Sequence, residues 1–353
     1  MSTLGATRRE RALAQLLGSR AAARVRGIAS ICSAHPLVIE AALRCGKVEN
    51  AKVLIEATCN QVNQDGGYTG MTPAAFRGFV EGIAARVGFP HDQLVLGGDH
   101  LGPNPWKALP AEQALARAEA MIAAYVDAGY RKIHLDTSMG CAGESPALAD
   151  DLTAARAARL ARIAEARAAM MDRPRPVYII GTEVPPPGGA THVLDQLAIT
   201  EPAAAERTRA VHGAAFAAAG IADAFERVIG IVVQPGVEFG NANVATYRPE
   251  RARDLSAALA RMPGLLFEVH STDYQPAAAL AALVEDGFAI LKVGPGLTFA
   301  LREALYGLDA IATTLGVNPS GESLERTMER VMLAEPAHWR SHYGGTPGEQ
   351  RLQ

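Results

Sequence analysis

The 353-residue sequence predicts a (β/α)8 barrel. Three observations carry that reading. Eight short apolar runs each end in a polar or charged residue. Alanine-rich amphipathic stretches fill the intervals between them, and the first run is not followed by a Gly-rich dinucleotide turn, which separates a barrel from a doubly wound sheet. Barrels commonly run to ~250 residues or more as one domain. The length therefore fits a single domain over 1–353, with a barrel core at about 27–314 and a helical C-terminal appendage at about 315–353.

The runs are GIASICS at 27–33, KVLIEAT at 52–58, LVLGGDH at 94–100, KIHLDTS at 132–138, PVYIIGTEV at 176–184, VIGIVVQ at 228–234, LLFEVHS at 265–271 and FAILKVG at 288–294. Each has the length and branched content of a parallel strand buried on both faces, which reads as continuously apolar rather than alternating. Helices are expected at 73–87, 111–128, 146–171, 203–224, 250–261, 276–286 and 298–314, with start signals at Pro73 after Thr72, Pro146 after Ser145 and Pro276 after Gln275. The Pro/Gly-rich stretch at 184–202 is too long for an ordinary connection and reads as a functional loop or lid.

Composition excludes several classes. Hydrophobic residues at 49% and charged residues at 20% argue against disorder and coiled coil. A net charge of −3 gives no reason to expect nucleic acid or an anionic membrane as partner. No window approaches a membrane span. Four scattered cysteines (Cys32, Cys45, Cys59, Cys141) suit a reducing cytoplasm, and the basic N-terminus reads as a surface helix rather than a targeting signal.

In a barrel, chemistry gathers at the C-terminal ends of the strands. Here nearly every strand ends in an acid, an amide or an imidazole, an arrangement that costs stability unless it is used. His100, Glu183 and His270 end strands three, five and seven and form a candidate open metal site. Zinc is its natural occupant, and manganese or cobalt suits the same ligands. Asp99, beside His100, is placed to exchange a proton with a substrate hydroxyl, and Asp136 and Glu56 are candidates for the same work. Asn60, Gln234, Ser271 and Asp273 are candidate substrate-binding residues. Gly294 and Gly296, opening a helix after strand eight, suit a phosphate, with Arg302 following them. His134 and His192 receive no role.

Two chemistries look poor. No GxxxxGK[ST] loop is present to hold a nucleoside triphosphate. Lys292, the only lysine near a strand's C-terminal end, lies inside an apolar run, so a Schiff-base aldolase is disfavoured.

Taken together, EATCNQVNQDGGYTGMTP, GGDHLGP, HLDTSMGC, GTEVPPPGG, VVQPGVEFG, FEVHSTDYQ and LKVGPGLTFALREAL strongly resemble the GatZ/KbaZ-like family over about residues 20–340. Its members are described as non-catalytic subunits of class II D-tagatose-1,6-bisphosphate aldolase, and often carry an older tagatose-6-phosphate kinase label. The resemblance implies a class II aldolase-like barrel in which Asp99-His100 is similar to the proton-moving Asp and metal-binding His of fructose-bisphosphate aldolases. Members of the wider family also act alone as metal-dependent 4-epimerases of ketohexose phosphates or of uronates. The expectation is a divalent-metal ketohexose-6-phosphate 4-epimerase interconverting D-tagatose 6-phosphate and D-fructose 6-phosphate. The alternatives are a stabilising subunit of the aldolase and a tagaturonate/fructuronate 4-epimerase. The partners implied are a phosphorylated ketohexose and either a class II aldolase catalytic subunit or further copies of this chain.

Overall fold

The computed structural model describes residues 27–182, 197–241, 243–317, 321–340 and 343–352. Eight parallel strands close into a barrel: β1 (Ile28–Ile31), β2 (Val53–Thr58), β3 (Leu94–Leu101), β4 (Lys132–Leu135), β5 (Val177–Ile180), β6 (Val228–Val232), β7 (Leu266–Val269) and β8 (Phe288–Val293), with β8 returning to pair with β1. Seven lie within the apolar runs, and β3 overruns its own by one residue, Leu101. The helix after each strand is α1 (Pro36–Val48), α2 (Pro73–Val87), α3 (Ala111–Asp127), α4 (Asp150–Met170), α5 (Pro202–Ala218), α6 (Pro249–Ala258), α7 (Ala277–Glu285) and α8 (Pro295–Thr314). Two further helices, α9 (Leu324–Ala334) and α10 (Pro347–Leu352), follow.

Local chemistry explains most boundaries. Thr72 caps α2, its hydroxyl accepting from the Ala75 amide, and Pro73 supplies the preset first turn. Helix α1 was not anticipated, although it starts the same way, with His35 Nδ1 accepting from the Leu37 amide and Pro36 next in line. The start signal at Pro146 misled. Its carbonyl accepts from the Gly140 amide within a loop, and α4 begins only at Asp150. The expected N-terminal helix, and most of the 184–202 loop, lie outside the described residues.

Two cores follow from strands buried on both faces. Outside the barrel, helix stripes such as Phe76, Val80 and Ile83 on α2 and Ala118, Met121, Ile122 and Tyr125 on α3 are wholly buried against the strands. Ala154, Ala157, Ala158, Ala161, Ala164 and Ala168 bring α4 close to its neighbours, so its alanines act through packing as well as propensity. Inside the barrel, Ile28, Leu54, Val95, Val177, Ile179, Leu266 and Ile290 form a separate aliphatic cluster.

Two residues further along the same inward faces, Ile28 gives way to Ser30, Leu54 to Glu56, Val95 to Gly97, Leu266 to Glu268 and Ile290 to Lys292. The barrel thus has an aliphatic floor and a charged layer above it, into which β4 sends Lys132. β5 and β6 contribute hydrocarbon there, through Ile179 and Val232.

The two glycines of GGDH fit this layering. Gly97 pairs in register with Glu56, and a Cβ at Gly97 would stand 2.1 Å from Glu56 Oε1. Gly98 faces outward, where a Cβ would meet Leu101 at 2.5 Å and Tyr125 at 2.9 Å. Helix α8 has no buried residue, and Phe299, Leu305, Leu308 and Ile311 are exposed, as are Met328, Val331, Met332 and Leu333 of α9. Gly97→Ala is expected to displace the Glu56 carboxylate and lower stability by about 1–3 kcal/mol. Urea denaturation checks this, and an unchanged midpoint would mean the interior has room to spare.

Candidate active site

β3 does not end as a plain strand. Its register with β4 shifts between Gly98 and Leu101, and His100 adopts φ 48° in the left-handed region, which L residues seldom occupy. Side chains of adjacent strand residues should diverge, but this bulge turns Asp99 and His100 toward the same mouth. Ser271, just past β7, is also left-handed at φ 53°. Backbone strain of this kind gathers at functional sites.

Donor atoms of Asp99, His100, His134 and His270 all lie within 4.8 Å of one another. His100 Nδ1 donates to Asp136 Oδ2 at 2.8 Å, and His270 Nε2 donates to Glu268 Oε1 at 3.2 Å. An imidazole held through one nitrogen by a carboxylate presents the other nitrogen in fixed orientation, as metal-binding histidines do. His134 is placed differently. Its Nδ1 faces Asp99 Oδ1 and its Nε2 faces the Gly181 carbonyl, each at 2.9 Å, so both nitrogens already meet protein oxygens. The donor set of two carboxylate-backed imidazoles with a neighbouring carboxylate fits a divalent metal such as zinc. Glu183, the third expected ligand, lies outside the described residues, as does His192.

Beneath this cluster lies the charged layer. Lys132 reaches Glu56 at 2.8 and 3.0 Å and Glu268 at 2.7 Å, and all three side chains are fully buried. Lys292 meets Glu56 as well, and its Nζ lies 2.8 Å from Asp99 Oδ1. These contacts decide the ionisation of the site. Burial would raise the Asp99 carboxyl, but His100, Lys292 and His134 together hold it well below the ordinary carboxylate range. Burial opposes charge on His100, yet Asp99 and Asp136 outweigh it and lift the imidazole to about 9. In His270 burial prevails over Glu268, and the ring falls to about 4.

The residues expected in the site divide. Asp99, His100, His270, Ser271 and Asp273 line a cavity of about 660 Å³ at the mouth, together with Ser33, His35, Gln61, Tyr68, Lys292 and Thr298. Asn60 and Asp136 line a smaller cavity of about 200 Å³ that shares His100. Both oxygens of Asp136 are engaged, Oδ2 by His100 and Oδ1 by the Ser138 amide and hydroxyl, so it orients His100 rather than facing a substrate hydroxyl. Glu56 is enclosed by Lys132, Lys292 and Ser30 and lines neither cavity.

Three further expectations are revised. Gln234 is buried, with its side-chain carbonyl accepting from the Gly236 and Val237 amides, so it shapes a turn. The Gly294 and Gly296 amides, expected to meet a phosphate, already donate to Asp273 Oδ1 at 3.0 and 2.6 Å. Arg302 binds Glu303 and lies 4.8 Å from the Phe299 ring centroid, away from the cavity. Among the described residues, Lys292 is the only lysine or arginine lining the larger cavity.

Sequence reading missed Lys132, His134, Glu268 and the use of Lys292. A signal was present, because Glu268 and His270, like Lys132 and His134, stand two apart and therefore share one face of a strand.

Comparison with known proteins agrees with the fold and the motifs. Residues 13–353 match the family described as D-tagatose-1,6-bisphosphate aldolase subunit GatZ/KbaZ-like. A D-tagatose 6-phosphate 4-epimerase from Agrobacterium fabrum is 57% identical over 341 residues, covering 97% of this chain and 80% of the relative. The crystal structure of a probable tagatose 6 phosphate kinase from Sinorhizobium meliloti 1021 superposes with TM-score 0.86 at 61% identity, over 93% of this chain and 80% of that one. Fructose-bisphosphate aldolase from Campylobacter jejuni shares the fold, with TM-score 0.53 at 15% identity over 86% of this chain and 78% of its own. With the family matched across nearly the whole sequence, the chain belongs to the GatZ/KbaZ-like family of D-tagatose-1,6-bisphosphate aldolase subunits.

Proposed function

We propose that the protein is a metal-dependent 4-epimerase interconverting D-tagatose 6-phosphate and D-fructose 6-phosphate by retro-aldol cleavage and re-addition. The observation that carries this reading is the Asp99 carboxyl group beside two imidazoles, each backed by its own carboxylate, at the mouth of the barrel. The name of the Agrobacterium relative supports the choice of sugar. The kinase name of the Sinorhizobium relative finds no support in this sequence, which lacks the phosphate-cradling loop of P-loop kinases.

In this reading His100 and His270 would hold a divalent metal, with Glu183 as the further ligand. Such a metal would supply Lewis-acid stabilisation for the negative charge that develops as the C3–C4 bond breaks. Asp99 is ionised and therefore an acceptor, and Lys292 and His134 occupy its Oδ1. Oδ2 takes the proton of the C4 hydroxyl. The C3–C4 bond breaks, its electrons passing into the enediolate, and C4 becomes the aldehyde carbon of the phosphorylated fragment. The aldehyde turns its other face and C3 attacks it. Asp99 then returns the proton to the C4 oxygen, so C4 is inverted with no net gain or loss of protons. The phosphate meets hydrogen-bond donors in the cavity wall. His35 offers one, because its Nδ1 accepts from Leu37 and leaves Nε2 as the donor.

The exposed apolar side chains of α8 and α9 favour a second reading, in which this barrel stabilises an aldolase subunit docked on that face. Carbon NMR of the metal-replete protein alone with D-fructose 6-phosphate separates the two. The epimerase reading expects tagatose 6-phosphate to form, EDTA to abolish it, and Asp99→Asn to slow it by ~10²–10⁴-fold. No turnover with metal present overturns it, and conversion of tagaturonate instead would identify a uronate epimerase.

His100, raised to about 9, is protonated at neutral pH, so a metal must displace that proton. Apparent metal affinity should therefore rise about tenfold per pH unit through neutrality and level off once the pH passes the His100 pKa. His270, lowered to about 4, adds no slope there. Competition against a fluorescent chelator measures this, and a flat profile would remove His100 from the ligand set. For substrate binding, His35→Ala is expected to raise KM about tenfold and leave kcat within about threefold, the loss of one hydrogen bond to a charged group.

A further inference from the structure

We infer that Lys292 is a positioning residue that fixes which oxygen of Asp99 accepts the proton, an inference that rests on the epimerase reading above. Lys292 bridges two systems. Its Nζ contacts Glu56 and lies 3.8 Å from Glu268 in the charged layer, and 2.8 Å from Asp99 Oδ1 at the mouth. Lys132 already binds both Glu56 and Glu268 and makes no ion pair with Asp99. The pairing of the interior acids therefore does not explain why a second lysine reaches up the barrel axis.

What the second lysine adds is orientation. Asp99 Oδ1 receives Lys292 on one side and His134 Nδ1, at 2.9 Å, on the other, so the carboxylate cannot rotate about its own axis. Oδ2 is then the oxygen turned toward His100 Nε2, 3.8 Å away, where its hydrogen-bond donor is the Cys32 thiol, a weak one at 3.8 Å, and in this inference it is the oxygen presented to substrate. Without Lys292, Oδ1 keeps its contact with His134 Nδ1, a nitrogen that also accepts from the His100 amide, and Asp99, Glu56 and Glu268 face one buried lysine. The Asp99 carboxylate would then turn toward any other cation within reach. The ammonium itself is not a Schiff-base nucleophile here. Burial disfavours its charge, but Asp99, Cys32, Glu56 and Glu268 together hold it protonated, with no lone pair for a carbonyl.

The test is steady-state epimerisation of D-fructose 6-phosphate by the full chain. Lys292→Met alone leaves three buried acids against one lysine and is open to misfolding, so the decisive comparison is Glu56→Gln/Lys292→Met against Glu56→Gln. The double variant removes an acid with the lysine and keeps the charge balance of the layer. A misplaced base is expected to lower kcat by ~10²-fold between the two, with KM within about threefold and metal content per chain unchanged. A kcat ratio below about threefold, or a loss that falls entirely on KM or on metal content, overturns the inference while the epimerase reading stands. Absence of turnover in the unsubstituted protein overturns both.

Discussion

The chemistry at the mouth of this barrel rests on two glutamates and two lysines buried in it. Taking such charges out of water costs several kcal/mol per ion unless each finds close partners. Glu56, Glu268, Lys132 and Lys292 provide those partners for one another across strands β2, β7, β4 and β8. The charged layer then passes its geometry upward. Glu268 orients His270, and Lys292 restrains Asp99. Downward, the layer sits on an aliphatic floor that keeps it dry. Even Gly97 belongs to it, since any side chain there would collide with Glu56.

The sequence made the barrel legible because each strand is an apolar run with a polar end, and the ends carried the mouth. Asp99, His100 and His270 could be read for that reason. The charged layer was harder to read: the spacing of Glu268 and His270, and of Lys132 and His134, puts each pair on one face, but both faces of a barrel strand are buried and nothing marks that face as the inward one. A lysine inside FAILKVG looks like an interruption until the partner strands are known. The phosphate expectation failed for a different reason. Two glycines opening a helix do suit an anion, but the chain supplies its own in Asp273. Arg302 failed through helix phase, since its position on α8 carries the guanidinium over Phe299 and Tyr306 instead of toward the cavity.

The acids of the site divide their labour in a way that residue type alone does not reveal. Asp136 divides its oxygens between an imidazole and Ser138, Glu268 divides its between an imidazole and Lys132, Glu56 gives its to lysines and Ser30, and Asp273 gives Oδ1 to backbone amides. Asp99 lines the larger cavity with Oδ1 held by Lys292 and His134, while Oδ2 accepts from the Cys32 thiol, a weak donor. A strand-end acid is therefore a candidate base only when its stronger hydrogen bonds leave an oxygen for substrate, which is a property of the fold and not of the motif.

The molecule also carries two electrostatic systems that answer differently to ionic strength. The pairs tying α3 to α4, Arg159–Glu119 and Arg167–Asp127, are about one-third exposed, within reach of counterions. The Lys132 pairs with Glu56 and Glu268 are closed to solvent. Concentrated salt therefore loosens the ring of helices at its surface more than the geometry beneath the mouth. Such an interior keeps its site aligned in brines that would erode an active centre built from exposed ion pairs.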